Sequence, residues 1–178
     1  MVLYTAGQRI RGSEINALPQ LYRVTTAQTC NNDTALRDLA GLAFAADANA
    51  WYLVECFLAY HAHESGDIKF AWAPAGLFVQ GDNPQYTGSW WSAQGLDPIG
   101  MAGVNGSPGL LDAAINATLT GSHARSGDNS VPVLACPVAF VQIGATAGTV
   151  RLQWAQQTAF VHPTTIRTGS CMRVSRLA

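Results

Sequence analysis

The chain has 178 residues, 12% of them charged, with a formal net charge of −1 and four cysteines. That length suits one domain able to bury roughly 70% of its unfolded surface, and the charged content is about half the ~25% usual in soluble domains. A near-neutral chain without a basic run gives no electrostatic case for nucleic acid, and so little charge favours a surface partly covered by partners in an assembly.

Residues 1–20 differ from the rest of the chain. Gly7 and Gly12 interrupt them, Ser13 caps at most one turn over Glu14–Leu18, and Pro19 limits that turn. Such a piece buries too little to order itself, and composition alone reads it as a frayed terminus. Residues 21–178 carry the signals of strands. Leu21–Thr29, rich in β-branched residues, is the first. Cys30–Leu39 breaks the pattern with Asn31, Asn32 and Asp33, and Asp33 or Thr34 is placed to cap a helical turn through Asp38. Leu42–Ala46 reads as a short strand before a turn at Asp47–Asn49. In the apolar run Ala50–Tyr60, Trp51, Leu53, Phe57 and Ala59 share one face and Tyr52, Val54, Cys56, Leu58 and Tyr60 the other. Both faces are apolar except at Glu55, which predicts a central strand covered by a second sheet on one side and by another subunit on the other. His61–Gly66 reads as a turn. Asp67–Ala73 reads as the hairpin partner, with Ile68, Phe70 and Trp72 in register.

From Pro74 to Pro108 the chain is rich in Gly, Pro and Asn, and short strands are expected at Leu77–Gln80, Tyr86–Trp91 and Ile99–Val104. Leu110–Thr120 alternates and reads as strand, Gly121–Ser130 as a polar loop. Val131–Ile143 is strongly apolar, and Pro132 and Pro137 predict a bulge or an edge there. Val150, Leu152, Trp154 and Gln156 alternate along Thr149–Gln157, as do Met172 and Val174 along Ser170–Leu177. Many short strands with turn signals and no sustained 3.6-residue period predict an all-β, antiparallel β-sandwich.

No constellation of catalytic residues emerges, so the chain is read as a non-enzyme with no cofactor. A Ser-His-Asp triad lacks its nucleophile elbow. Glu55 and Asp67 could pair as glycosidic carboxylates, but an ion pair from Glu55 to Arg151 or Arg173 is the simpler expectation. His61 and His63 have strand spacing for one face, and three copies could offer their nitrogens to a metal; the bland reading, solvated loop histidines, is preferred and no metal is assigned. Cys30, Cys56, Cys136 and Cys171 have no C-x-x-C spacing and read as free thiols of a reducing cytoplasm. Met1–Arg23 lacks a signal-peptide core, and no apolar run approaches the roughly 20 residues that span a bilayer, so no membrane insertion is expected. Trp51, Trp72 and Trp154 read as core. Tyr86, Trp90 and Trp91, within PQYTGSWWSAQG, are candidates for a trimer contact or for stacking on a host surface glycan.

The runs TAGTVRLQWAQQT and TTIRTGSCMRVSRL near the end of the chain resemble a module of minor tail and tail-fibre virion proteins of phages that infect actinobacteria. Thr25–Thr34 with Leu42–Asp67 resembles the front half of that module, and YTAGQRIRGSEINAL its lead-in segment; Gly76–Asp128 has no counterpart. The resemblance implies a jelly-roll-like fold, a homotrimer and a structural role in the virion, assembled in the bacterial cytoplasm. It makes residues 1–20 an arm, with Leu3, Tyr4, Arg9, Ile10, Arg11, Ile15 and Leu18 docking onto another virion protein of tail or capsid. A capsid decoration or head-fibre protein, and a carbohydrate-binding module, are the alternatives.

Overall fold

The structure is a computed structural model that describes residues 18–74, 77 and 132–177, together with the backbone of 88–91, 93–95, 114–116 and 123–125. The described residues form strands β1 (Gln20–Arg23), β2 (Gln28–Cys30), β3 (Arg37–Ala46), β4 (Trp51–His61), β5 (Ile68–Ala73), β6 (Gly88–Trp91), β7 (Ala93–Gly95), β8 (Ala114–Asn116), β9 (His123–Arg125), β10 (Val133–Ala135), β11 (Val138–Gln142), β12 (Gly148–Ala155), β13 (Thr164–Ile166) and β14 (Cys171–Arg176), with no α-helix among them. The fold is an all-β antiparallel sandwich of a ten-stranded sheet and a four-stranded sheet.

The topology is a folded ribbon. β1 and β2 pair with β14 and β13, β3 with β12, β4 with β10 and β11, β5 with β9, and β6 with β8, so early segments meet late ones in nested order. The ribbon then rolls up through β14 and β13 against β4, β12 against β5, and β10 and β11 against β7 and β6. Two sheets built from one nested, rolled antiparallel ribbon make a jelly roll. The chain passes between sheets at β2–β3, β3–β4 and β4–β5, because each neighbour in sequence belongs to the opposite layer.

Several strands are long strands interrupted without loss of register. Opposite β4, the pairing of β10 continues unshifted into β11 across Cys136 and Pro137. Pro137 has no N–H to give, yet its carbonyl still accepts the Cys56 N–H at 2.8 Å, and buried and half-buried residues alternate without a break from 132 to 144. The expected bulge or edge is therefore absent: the proline interrupts one side of the ladder inside an interior strand. Leu21–Thr29 likewise divides into β1 and β2 in one register with β14 and β13, bridged by Val24 and Ser170 (Val24 N–H to Ser170 O, 2.8 Å). A real bulge lies elsewhere, at Arg167–Ser170. There Gly169 takes φ +87°, and the buried Ser170 hydroxyl accepts the Ala59 N–H at 3.1 Å.

Three further expectations are corrected. β5 is not the hairpin partner of β4, because both edges of β4 are already occupied by β14 and β13 and by β10 and β11. The turn after β4 instead carries the chain to the other sheet, with Gly66 and Asp67 N–H groups both donating to His63 O and Asp67 at φ 48°. No helical turn forms at 33–38: the Asp33 carboxylate accepts the Ala35 N–H at 2.7 Å and pairs with Arg37, which opens β3. β9 lies inside the stretch 121–130 that reads as loop.

Alternation decides the core. Tyr52, Val54, Cys56, Leu58 and Tyr60 of β4 face Phe44 of β3, Ile68, Phe70 and Trp72 of β5, and Val150, Leu152 and Trp154 of β12, all buried. Aromatic rings cross the interface, Phe44 to Tyr52 at 5.2 Å and Tyr60 edge-on to Phe70 at 6.3 Å. Along one side the sheets are latched. β3 slips register between Ala43 and Asp38 and brings Gly41, at φ +88°, so close to β1 that a Cβ there would lie 2.4 Å from Arg23 O. The Gln28 side-chain amide then completes the latch, donating to Ala40 O at 2.9 Å and accepting Ala40 N–H at 3.0 Å.

Candidate interaction surface

The inner face of β4 is sealed, and its outer face is not. Trp51, Leu53, Ala59 and His61 are half-buried and Phe57 is 46% exposed. Flanking strands continue the surface. Cys171 lies opposite Phe57, and Arg173 and Val138 lie opposite Glu55 on either side. Ser175 and Phe140 lie opposite Leu53. Leu21 lies beyond Arg173, and Leu177 donates its N–H to Trp51 O. Three of the large hydrophobics exposed among the described residues, Leu21, Phe57 and Leu177, thus belong to this one face.

One charged pair sits in its middle. Arg173 donates to Glu55 Oε2 through Nε at 2.8 Å and Nη2 at 2.5 Å, with the Glu55 side chain only 21% exposed. The carboxylate and guanidinium neutralise each other on adjacent strands, as the cross-strand expectation had it. The alternative partner, Arg151, is on the small sheet, where it donates to Asp38 at 3.0 Å beside Gln153 at 2.8 Å. Glu55 and Asp67 are not brought together. Glu55 is mid-strand on the outer face, whereas Asp67 closes the end turn and its carbonyl accepts the Thr164 hydroxyl.

Three thiols sit around Phe57. Cys136 and Cys171 are half-buried on the outward positions beside it, and Cys56 lies beneath with no exposed surface. Burial pushes the Cys56 thiol well above its ordinary pKa, and the neighbouring Cys171, Cys136 and Glu55 push the same way. The inner thiol is therefore held protonated and unreactive.

The end of the sandwich beyond β4 is built around Gln156, a fully buried amide in the polar slot of an otherwise apolar face. Its oxygen accepts N–H groups of Asp33 and Phe160, and its nitrogen donates to His162 O, so it folds the β12–β13 loop around itself and ties it to the β2–β3 loop. On this base His63 stacks on His162 (5.0 Å, 15°) and against Phe160 (4.5 Å), while Ser65 N–H donates to His63 Nδ1. His61 turns away, its Nε2 3.0 Å from Arg167. The two histidines are thus separated, and no cluster of three metal-ligating residues occurs among the described residues.

The arm residues Leu3, Tyr4, Arg9, Ile10, Arg11 and Ile15 lie outside the described residues, as does Tyr86; Leu18 is exposed. Trp90 and Trp91 fall on β6, whose backbone register sets Trp90 between Val138 and Ile115, in the row that contains Glu55 and Arg173. Sequence reasoning did not single out Phe57 or Gln156. The available signals were a lone charge two residues from Phe57 on an apolar face, and an amide in phase with Val150, Leu152 and Trp154. Among the described residues no helix is long and apolar enough to cross a membrane.

No protein-family model and no curated protein sequence matches the chain. Among solved structures, the baseplate tripod (BppUct-A-L) of bacteriophage Tuc2009 aligns with 99% of this chain and 74% of its own, at 8% identity and a TM-score of 0.35. The infectious bursal disease virus VP2 subviral particle aligns over 89% of this chain and 40% of its own, at 11% identity and a TM-score of 0.21.

Proposed function

We propose that this protein is a structural component of a bacteriophage particle: a trimeric, fibre-like minor tail protein held by residues 1–20 and presented towards the host surface. The observation that carries this reading is the apolar outer face of the ten-stranded sheet, a surface suited to a subunit rather than to a solitary protein. The resemblance in sequence supports the phage assignment. The stretches that carry it contribute to β2–β4 and β12–β14, which pack together as one contiguous part of the sandwich. Its role is structural, without catalysis or cofactor; the engagement of Glu55 by Arg173 supports this, since it ties up the carboxylate best placed for glycosidic chemistry.

The arm supplies attachment in this reading. Fully burying a Leu- or Ile-sized side chain contributes roughly 1.5–3 kcal/mol, and three arms on one trimer add by avidity. Particles complemented with a chain starting at Leu21 should lack the protein, whereas full-length chains are incorporated, as read by mass spectrometry of purified particles. Equal incorporation of both forms would remove the arm from the attachment. Labelled antibody on intact particles should decorate the tail; decoration of the head would make it a capsid decoration or head-fibre protein instead.

A further inference from the structure

We infer that the outer face of the ten-stranded sheet, centred on Phe57 and the Glu55–Arg173 pair, is the surface through which copies of this chain pack against one another. The inference rests on the trimeric reading above and assigns that trimer its contact.

Three observations select a second copy as the occupant. The first is area. β4 has eleven residues, and the four rows β1/β2, β14/β13, β4 and β11/β10 span roughly 19 Å by 36 Å, about 700 Å² of flat surface. That approaches the ~800 Å² that each partner commits to a stable interface. The second is composition: Leu21, Trp51, Leu53, Phe57, Val138 and Phe140 present aliphatic and aromatic surface, the make-up of an interface centre. The third is charge. Close to a three-fold axis identical residues of the copies approach each other, so an unpaired charge at the centre of such a face would meet its own kind. Here the acid and the base are already bonded to each other within one chain, and the centre of the face enters a self-contact neutral. A different partner would be better recognised by an unpaired charge at the centre of the face, and there the described residues of β4, β11 and β14 carry none; the exposed Arg23 on the edge strand and Arg167 beside His61 lie at its rim, where interfaces are ordinarily polar.

The thiols supply a built-in readout. Cys136 and Cys171 flank Phe57 on this face, while Cys30 and Cys56 are buried within one chain. The experiment uses the full-length protein at micromolar concentration, with light scattering for mass and maleimide labelling resolved by peptide mapping. The wild type should have three times the chain mass and label slowly at Cys136 and Cys171. Phe57→Lys should have the mass of one chain and label at both thiols about tenfold faster, with its β-sheet circular dichroism and cooperative unfolding retained. Leu21→Lys, at a more exposed position, provides the same test should Phe57→Lys fail to fold. Ala45→Lys, on the exposed outer side of β3, should leave the mass unchanged. A Phe57→Lys protein that folds and keeps the trimeric mass overturns the assignment. So does a monomeric wild type, whether its two thiols are protected, which means another segment of the chain covers the face, or reactive, which leaves the face to a different protein. Incorporation into particles is a separate measurement: a trimer that assembles through this face yet is missing from particles defeats the virion reading alone.

Discussion

The two outer faces of the sandwich share an interior but have opposite chemistry. On the small sheet, Thr149, Arg151 and Gln153 of β12 lie beside Ala45, Ala43 and Asp38 of β3, and the Asp38 carboxylate collects both Arg151 and Gln153. On the large sheet the equivalent positions of β4 and β11 are Trp51, Leu53, Phe57, Val138 and Phe140, with the internally neutralised Glu55–Arg173 pair among them. A face that meets only water needs polar groups at alternate positions, and the small sheet has them. The large sheet keeps the alternation of burial yet fills both phases with apolar residues. Period alone therefore reports how a strand is placed, and the identity of the outward residues reports what will cover it.

That contrast can be tested from its foundation outward. Trp154→Ala removes a fully buried ring from the interior that both faces share, and should destabilise the fold by about 3–5 kcal/mol in denaturant unfolding. A change of under 1 kcal/mol would mean that the sheets do not depend on a common core. Next in size is the latch between the sheets. Gly41→Ala adds a Cβ against Arg23 O at a left-handed backbone position, and should cost about 3 kcal/mol or more. Gly169→Ala has nearly the same φ with open space around it, and should cost about 1 kcal/mol. Equal costs at the two glycines would show that the seam yields, leaving the faces free to shift relative to each other. The smallest effects belong to the ion pairs. A double-mutant cycle on Asp38 and Arg151, with side chains 45% and 41% exposed, should give about 0.5 kcal/mol or less. The cycle on Glu55 and Arg173 should give about 1 kcal/mol and resist added salt better, because Glu55 is more sheltered. The reverse order would place water, not protein, over the large sheet.

Much of the strand content was legible because it is local. Val150, Leu152 and Trp154, and Met172 and Val174, occupy the core positions their alternation predicts. The Glu55–Arg173 pair was also legible, since one lone acid on an apolar face calls for a base across the sheet. What was hidden is partner choice. Ile68, Phe70 and Trp72 are inward as expected, but a period of two cannot tell a hairpin from a crossing to the other layer, and competition for the edges of β4 decided it. Pro137 misled for the opposite reason: proline forbids one hydrogen bond, not a register, and the Cys56 N–H still found its carbonyl. Asp33 had capping chemistry without a helix to cap, because Arg37 was claimed by β3. Residues 1–17 of the arm, and Tyr86 within the middle segment, lie outside the described residues, so neither bears on that comparison.

The nested order of pairing also sets when the protein can come into being. β4 needs residues 133–142 on one side and 164–176 on the other, and β1 pairs only with residues 171–174. While the ribosome works towards residue 164, β4, the longest of the described strands, therefore waits with at least one edge unpaired. Folding dominated by such distant pairings is slow, and unpaired strands of this kind are prone to join the wrong neighbours. A nascent chain stalled before residue 164 should be retained by chaperones or aggregate, and release of the remaining strand-forming sequence should convert it within one cooperative step.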